Sequence, residues 1–409
     1  MAATQQTDLR LRPSWYLLGP AFVAAIAYVD PGNVAANVSA GAQFGFLLVW
    51  VILLANVMAG LVQYMSAKLG LVTGRSLPEA VGRRMRRRTR LAYWVQAELV
   101  AMATDLAEVV GGALALRLLF DLPLLVGGVI TGIVSLLMLL IQDRRGQRVF
   151  ERVITGLLLI IAIGFLTSLF VNPPAPGDVV GGMLPRFDGA ESVLLASAML
   201  GATVMPHAVY LHSGLARDRH GHPEGRRRVL LLRVTRWDVA LAMVVAGAVN
   251  LAMLLVAATN LQGNPNTDSI EGAHAAVRDA LGPTVALFFA IGLLASGLAS
   301  TSVGAYAGAM IMQGLLHRKI PLLLRRLITL VPALTILAIG IDPTRALVLS
   351  QVVLSFGIPF ALIPLVRLTS DASVMGSDTN HRVTTALGWV VAALISLLNV
   401  GLLYLTATH

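Results

Sequence analysis

Long apolar stretches alternate with short polar segments along the whole chain. Each apolar stretch is long enough to cross a bilayer as one helix, which needs about 20 residues. The pattern predicts an all-α polytopic membrane protein with about eleven transmembrane helices. The eighth stretch is long enough to hold a span plus an extension. The predicted helices cover 16–38, 44–70, 91–118, 123–141, 151–171, 192–216, 233–258, 275–316, 320–341, 346–367 and 384–406.

Composition agrees with a membrane protein. Hydrophobic residues make up 56% of the chain and charged residues 13%, whereas soluble domains carry about 25% charged residues. The chain has no cysteine, which excludes a disulfide framework and a thiolate metal site. The formal net charge is +10, but the basic residues lie in short loops between spans. The charge therefore indicates topology and not nucleic-acid binding.

Most basic loop residues fall on one predicted side of the membrane. Because cytoplasmic loops are enriched in Lys and Arg, the N-terminus is expected in the cytoplasm and, for an odd number of spans, the C-terminus outside. The opposite loops offer little beyond Arg186 and Arg345. The residues on the predicted cytoplasmic side are Arg10, Arg12, Arg83, Arg84, Arg86, Arg87, Arg88, Arg144, Arg145, Arg148, Arg226, Arg227, Arg228, Arg318, Lys319, Arg367 and Arg382.

The first and sixth spans each carry a proline near mid-membrane depth, Pro31 and Pro206. Proline lacks a backbone donor and clashes with the preceding turn, so both helices are expected to break there. Matching breaks in two halves that cross in opposite directions indicate an inverted repeat with a binding site at the breaks. The alternative is a pair of ordinary proline kinks.

Polar and sulfur-containing residues flank both predicted breaks. A carboxylate within a span, such as Asp30, costs about 2.5–3.5 kcal/mol and needs a partner, a proton or a cation. Asn33 adds an amide oxygen, and Met205 adds a thioether from the other half. Breaking the helices also frees carbonyls near Ala27 and Ala202.

This donor set favours a transition metal. Thioether sulfur suits soft or borderline ions, whereas magnesium, calcium and sodium prefer all-oxygen shells. The alternative for Met205 is that it only packs, as most intramembrane methionines do.

Acidic residues also lie on one face of the third span. Glu98, Asp105 and Glu108 share a helical face, and acids in series within a membrane are candidate proton relays. Span nine supplies Arg325 and Arg326, which either pair with these acids or reach the cytoplasmic surface. His207 titrates near physiological pH when unperturbed; it either joins the relay or only hydrogen-bonds. Glu98 lies near the cytoplasmic end, where solvation is an equal alternative.

Several segments resemble the signature of the Nramp (natural resistance-associated macrophage protein) family. The main matches are Asp30-Pro31-Gly32-Asn33 and Met205-Pro206-His207. The likeness runs from about residue 16 to 406. Further matches are Trp94-Val95-Gln96-Ala97-Glu98, Ala103-Thr104-Asp105-Leu106-Ala107-Glu108, Tyr210-Leu211-His212-Ser213 and Ser350-Gln351.

The resemblance implies a LeuT-type 5+5 inverted repeat with helices 1 and 6 broken. It implies proton-coupled import of Mn²⁺, and also of Fe²⁺, Co²⁺ and Cd²⁺, by alternating access in a bacterial inner membrane. Many members carry Asn where this chain has Ala208, which puts only that amide's role in doubt. The implied metal ligands are Asp30, Asn33, Met205, the carbonyls of Ala27 and Ala202, and Gln351 in some conformations. The implied proton route comprises Asp30, His207, Asp105, Glu108, Arg325 and Arg326.

These expectations divide the chain into five segments. They are a cytoplasmic N-terminal segment at 1–15, a first repeat at 16–171, an external loop at 172–191, a second repeat at 192–367, and a cytoplasmic loop with the last span at 368–409. Asp238, beside Arg236, is expected at the membrane interface, and residues 296–302 are expected in close helix packing.

Two other function classes fit the sequence less well. A sodium-coupled amino-acid or small-solute symporter of the same architecture is the alternative, but Asp30 would repel a substrate carboxylate and Met205 would not serve sodium. An intramembrane hydrolase is disfavoured because the HExxH and GxSxG motifs are absent. The expected partners are a divalent metal, protons and the bilayer. We expect no enzymatic activity, cofactor, nucleic acid or obligate protein partner.

Overall fold

The computed structural model describes residues 19–145, 147–263, 269–317 and 322–408, and within these ranges the regular structure is helical. Some residues of the sequence predictions lie outside the described part of the chain. They are the segment 1–15 with Arg10 and Arg12, the pair Arg318 and Lys319, and the side chains of Arg144, Arg145 and Arg148.

The helices follow the apolar pattern closely, with breaks and short connecting helices between the long ones. In chain order they are α1 (Pro20–Ile26), α2 (Pro31–Phe44), α3 (Val49–Thr73), α4 (Leu77–Gly82), α5 (Arg87–Phe120), α6 (Leu124–Arg145), α7 (Gln147–Val171), α8 (Pro176–Gly181), α9 (Gly189–Thr203), α10 (Pro206–His220), α11 (Gly225–Asn260), α12 (Ile270–Leu281), α13 (Pro283–Leu316), α14 (Leu322–Ile339), α15 (Pro343–Thr369), α16 (Ala372–Met375) and α17 (Arg382–Thr408).

Each predicted span corresponds to one long helix or to a broken pair. Among the described residues, eight helical segments are long and apolar enough to cross a membrane, with α9 and α10 counted together as one, and two shorter apolar segments accompany them. The eighth predicted run divides at Gly282 into α12 and α13, so its extension is a separate helix. Gly282 has φ of +93°, a conformation that glycine adopts without strain.

The two predicted breaks are present, and each lies directly before its proline. After α1, a 3-10 turn at Ala27–Val29 leads to an extended Asp30 (φ −74°, ψ 169°), and Pro31 opens α2. After α9, Met205 is extended (φ −61°, ψ 124°) and Pro206 opens α10. A residue before proline avoids the helical region, and proline is well suited to a first helical position. Each proline therefore starts the second half of its span.

Small residues bring the first break against the centre of the protein. A Cβ at Gly111 of α5 would lie 2.0 Å from the Pro31 Cβ, and one at Gly297 of α13 would lie 3.1 Å from the Gly112 amide nitrogen. The second contact confirms the predicted close packing around residues 296–302. Because α5 and α13 approach backbone to backbone, α2 is held between them and the second break.

Asp238 anchors the start of α1, a role that its expected position at the membrane interface did not indicate. Its two carboxylate oxygens accept hydrogen bonds from the backbone amides of Gly19 and Ala21, each at 3.0 Å. The side chain is buried, with 3% exposure. A helix N-terminus leaves unsatisfied amide groups that attract an anion, so the acid in α11 serves α1 and not the membrane surface.

Candidate metal centre

Asp30 caps the second half of the broken first span. Its Oδ1 accepts hydrogen bonds from the backbone amide of Asn33 at 2.7 Å and from Asn33 Nδ2 at 2.8 Å. Both side chains are fully buried. The cap explains how a carboxylate is tolerated here, because the free amides of a helix start stabilise an anion.

The Asn33 amide joins the two breaks. Its Nδ2 also donates to the carbonyl oxygen of Ala202, at 2.9 Å. One nitrogen therefore lies between two oxygens that sequence reasoning predicted as metal ligands, one from each half of the chain. Oxygen atoms that converge on one N–H donor are also arranged to bind a cation.

Gln351 enters the same place from α15. Its Nε2 lies 3.5 Å from Asp30 Oδ2 and 3.3 Å from Ser350 Oγ. Two glycines make this approach possible: a Cβ at Gly32 would lie 1.7 Å from Gln351 Nε2, and one at Gly201 would lie 1.9 Å from the Gln351 carbonyl oxygen. The amide therefore reaches the carboxylate only because both neighbours lack a side chain.

Two buried oxygens at this site lack a protein partner. Asn33 Oδ1 and Gln351 Oε1 accept no hydrogen bond from the described part of the chain. A buried acceptor left unsatisfied costs about 1–3 kcal/mol. The two amide oxygens are thus available for a ligand that the protein itself does not supply.

The remaining predicted ligands lie on the same interruptions. Ala27 begins the 3-10 turn before Asp30, and Met205 is the fully buried residue before Pro206. Hydrogen bonds connect Asp30, Asn33, Ala202 and Gln351, and they do not extend to Ala27 or the Met205 sulfur. The ligand roles of all six residues remain predictions.

Two residues that sequence reasoning missed satisfy the backbone at the first break. Asn250 Nδ2 donates to the Tyr28 carbonyl at 2.7 Å, and Ser296 Oγ donates to the Val29 carbonyl at 2.5 Å. Helix interruption within a membrane is tolerated only where side chains or water satisfy the freed groups. Ser296 thus has a role beyond packing. A polar residue within an apolar helix is the signal that marks both residues.

A conventional metal site is not found elsewhere in the described ranges. No group of three or more His, Asp or Glu side chains there is arranged to hold an ion. A metal site in this region would therefore combine one carboxylate with amides, carbonyls and a thioether. Such a set has a low negative charge and includes a soft donor, which is more typical of a borderline ion than of calcium.

The acids of α5 face α13 and α14 inside the protein. Asp105 Oδ1 accepts a hydrogen bond from Arg326 Nη1 at 2.5 Å, and Arg326 Nε donates to Ser135 Oγ at 3.1 Å. Glu108 is fully buried, and Asp105, Arg326 and Asp30 are all close enough to act on its charge. The acids thus form an interior series that starts beside the candidate metal centre.

Glycines in α13 make room for this series. A Cβ at Gly304 would lie 2.7 Å from Glu108 Oε1, and one at Gly308 would lie 2.0 Å from Arg325 Nη2. Arg325 donates to Glu98 Oε1 at 2.9 Å. Glu98 is therefore paired inside the bundle, and the predicted pairing of the span-nine arginines with the span-three acids is present.

Two of the three histidines of α10, His207 and His212, have different partners. His207 Nδ1 lies 3.2 Å from the Thr104 hydroxyl of α5, next to Asp105 in the chain. His212 Nδ1 lies 2.6 Å from Gln63 Oε1 of α3. His207 thus contacts the acid-bearing helix, whereas His212 contacts the opposite side of the bundle.

Comparison with known proteins gives a consistent result. A family model described as "Natural resistance-associated macrophage protein-like" matches residues 21–405. A curated relative from Mycobacterium tuberculosis, named divalent metal cation transporter MntH, is 74% identical over 405 residues, which are 99% of this chain and 95% of the relative.

Solved structures extend the likeness to the fold. The manganese transporter of Eremococcus coleocola, in complex with an aromatic bis-isothiourea substituted compound, matches with a TM-score of 0.83 and 31% identity over 93% of this chain and 84% of that chain. MhsT in complex with L-phenylalanine matches with a TM-score of 0.58 and 15% identity over 95% and 97% of the two chains, a likeness of fold alone. The LeuT-type fold predicted for the chain is confirmed.

Proposed function

The chain belongs to the Nramp family, and from this premise we propose that it imports divalent transition-metal ions, manganese above all and also Fe²⁺, Co²⁺ and Cd²⁺, together with protons. The Mycobacterium tuberculosis relative is named as a divalent metal cation transporter. The Eremococcus coleocola relative is named as a manganese transporter.

One observation carries the proposal. The Asp30 and Ala202 oxygens converge on one Asn33 amide, and two amide oxygens beside them, Asn33 Oδ1 and Gln351 Oε1, are buried without a protein partner. A cation that enters here would gain oxygens from both halves of the chain. Met205, at the second break, adds a sulfur that favours a borderline ion over calcium or magnesium.

Proton coupling is supported by the interior acids. Glu108 lies within electrostatic reach of Asp30, Asp105 and Arg326, and Arg326 donates a hydrogen bond to Asp105. We infer that a proton passes inward from Asp30, with His207, through Asp105 and Glu108 toward the Arg325–Glu98 pair. Acids in series inside a membrane are typical of such relays.

Transport is expected to follow alternating access. The half-helices α1, α2, α9 and α10 meet at the candidate metal centre, and in this fold rocking of one bundle exposes such a site to either side. The basic loops support an N-terminus in the cytoplasm and a C-terminus outside, in the bacterial inner membrane.

The sodium-coupled amino-acid symporter is the weaker candidate. The MhsT likeness is one of fold alone. At the first break, the Asp30 carboxylate already accepts a hydrogen bond from a backbone amide at the start of α2. An amino-acid symporter would keep such amides free to bind the carboxylate of its substrate.

Uptake into proteoliposomes tests the proposal. We expect Mn²⁺ entry to accelerate when the outside is acidic, and a sodium gradient to have no effect. Asp30→Asn, which preserves shape, should lower uptake at least tenfold, because it removes the carboxylate at the first break. Gly156→Ala is the matched control, since a Cβ at that position meets nothing within 4 Å. Uptake driven by sodium, or equal uptake by the Asp30 variant, would reject the proposal.

A further inference from the structure

A groove runs along the outer surface between α3 and α11. Its volume is about 320 Å³, within the range of small-molecule sites. Apolar side chains line most of its length, among them Val57, Leu61, Val239 and Val244. Val57 is 71% exposed and Val244 67% exposed. In membrane-spanning helices such residues face lipid, so the groove opens to the bilayer.

One end of this α3/α11 groove is basic. The Arg236 guanidinium lies 5.2 Å from the centre of the Tyr64 ring, and Arg236 Nε donates to the Tyr64 hydroxyl at 3.0 Å. The Nη groups of Arg236 have no acceptor within the described residues. The ring and the hydroxyl fix the plane of the guanidinium, and this leaves two parallel donors for a ligand. Arg233, exposed one turn earlier on α11, adds positive charge.

The basic end lies at the depth of the lipid headgroups. Arg236 is eleven residues after the start of α11 at Gly225, and the apolar lining begins with Val239 and continues toward mid-membrane. Trp237, which is 66% exposed, marks the same level, because exposed tryptophans collect at membrane interfaces. With the proposed orientation, this level belongs to the cytoplasmic leaflet.

We propose that the α3/α11 groove binds one anionic phospholipid, with its phosphate on the Arg236 guanidinium and one acyl chain along the groove. An arginine at the headgroup level of the cytoplasmic leaflet attracts anionic lipid, and a guanidinium with two free parallel donors matches a phosphate group. The apolar floor below Arg236 accepts a hydrocarbon chain but not a free inorganic anion. The occupant is therefore a lipid that carries both parts.

Two kinds of variant test the two parts of the site. Arg236→Gln removes the charge. Gly60→Leu fills the groove and leaves Arg236 intact; a Cβ at Gly60 meets only the Met243 Cγ, at an ordinary 3.6 Å. Ala240→Leu, on the exposed α11 wall, blocks the groove independently should Gly60→Leu not fold. Arg367→Gln is the matched control, because Arg367 also stacks on an exposed aromatic ring, that of Trp389, at 5.9 Å.

Native mass spectrometry of the purified protein, with phosphatidylglycerol and phosphatidylcholine of equal chain length, gives the readout. We expect the unaltered protein and Arg367→Gln to retain one phosphatidylglycerol in preference to phosphatidylcholine. Arg236→Gln should weaken that retention about fivefold, which corresponds to about 1 kcal/mol for one basic side chain near an anionic lipid. Gly60→Leu or Ala240→Leu should weaken it at least as much.

Three results would overturn the inference. Equal retention of both lipids by the unaltered protein would exclude a specific anionic site. Full retention of phosphatidylglycerol by a folded groove-filling variant would exclude the groove. Displacement of the lipid by inorganic phosphate alone would assign Arg236 to a free anion.

Discussion

Replacing Gly32 by alanine tests whether the Gln351 amide reaches Asp30. An added Cβ would lie 1.7 Å from Gln351 Nε2, 2.3 Å from Cδ and 2.8 Å from Cγ. Apolar atoms in contact are about 3.5–4 Å apart, so the amide has to retreat by about 2 Å. The atoms in the way belong to a flexible side chain, so a rotamer change of about 1 kcal/mol relieves the clash and the protein still folds.

The retreat should weaken metal binding far more than stability. It removes the Nε2 donor from the carboxylate and the Oε1 acceptor from the candidate metal centre. The loss of affinity comes from the Oε1 acceptor: an oxygen that contacts a charged group contributes about 1.5–3 kcal/mol, and the lower figure applies because a neutral amide is one oxygen among several at the site. We expect the dissociation constant for Cd²⁺ or Mn²⁺ to rise about tenfold.

Calorimetric titration with Cd²⁺, beside thermal unfolding in detergent, measures both quantities. Gly156→Ala is the control for a glycine-to-alanine change without a steric conflict. The double variant Gly32→Ala with Gln351→Ala should bind Cd²⁺ like Gln351→Ala alone, because the clash no longer exists. Wild-type affinity in Gly32→Ala would refute the reasoning, as would a much larger loss in the double variant than in Gln351→Ala.

Four further changes address the other parts of the site. Met205→Ala should keep Mn²⁺ uptake but admit Ca²⁺ or Mg²⁺, because the sulfur disfavours hard ions; a liposome competition assay with unchanged discrimination contradicts this. Glu108→Gln should reduce internal acidification while metal uptake continues, and full acidification beside uptake would remove Glu108 from the relay. Arg326→Met should lower the free energy of unfolding by about 3–5 kcal/mol, because it leaves Asp105 buried without its partner; a smaller loss in chemical denaturation would contradict this. Ser296→Ala should cost about 1–3 kcal/mol through the carbonyl it leaves unsatisfied, and a thermal midpoint equal to that of the half-buried control Thr167→Ala would argue against this.

The helices were largely predictable from the sequence because lipid imposes one simple rule, a long apolar run for each span. The breaks were harder to assign. Pro31 and Pro206 each follow a break and open a new helix, whereas Pro332, Pro359 and Pro364 lie inside continuous helices. At Pro31 the difference is that Asp30 caps the new helix and that side chains from α11 and α13 satisfy the freed carbonyls. Proline marks where a break is possible, and its surroundings decide whether the break forms.

The parts of the site that depend on distant neighbours were not predictable from local pattern. Asp238 lies 217 residues from the Ala21 amide that it caps, so its sequence context indicated only an interface. Gly32 and Gly304 have no functional side chain. They matter because Gln351 and Glu108 occupy the space that a Cβ at these positions would fill. Sequence spacing identifies groups on one helix, but not the clearances between helices.

The position of the Asn33 amide has a consequence for how tightly cargo is held. Its Nδ2 already engages the Asp30 and Ala202 oxygens, so any arriving ion competes with an internal occupant and must turn that amide aside. The free energy of ion binding is then the difference between the ion–oxygen contacts that form and the Asn33 hydrogen bonds that break. Such a site releases its ion readily, because the Asn33 hydrogen bonds to Asp30 and Ala202 re-form when the ion leaves.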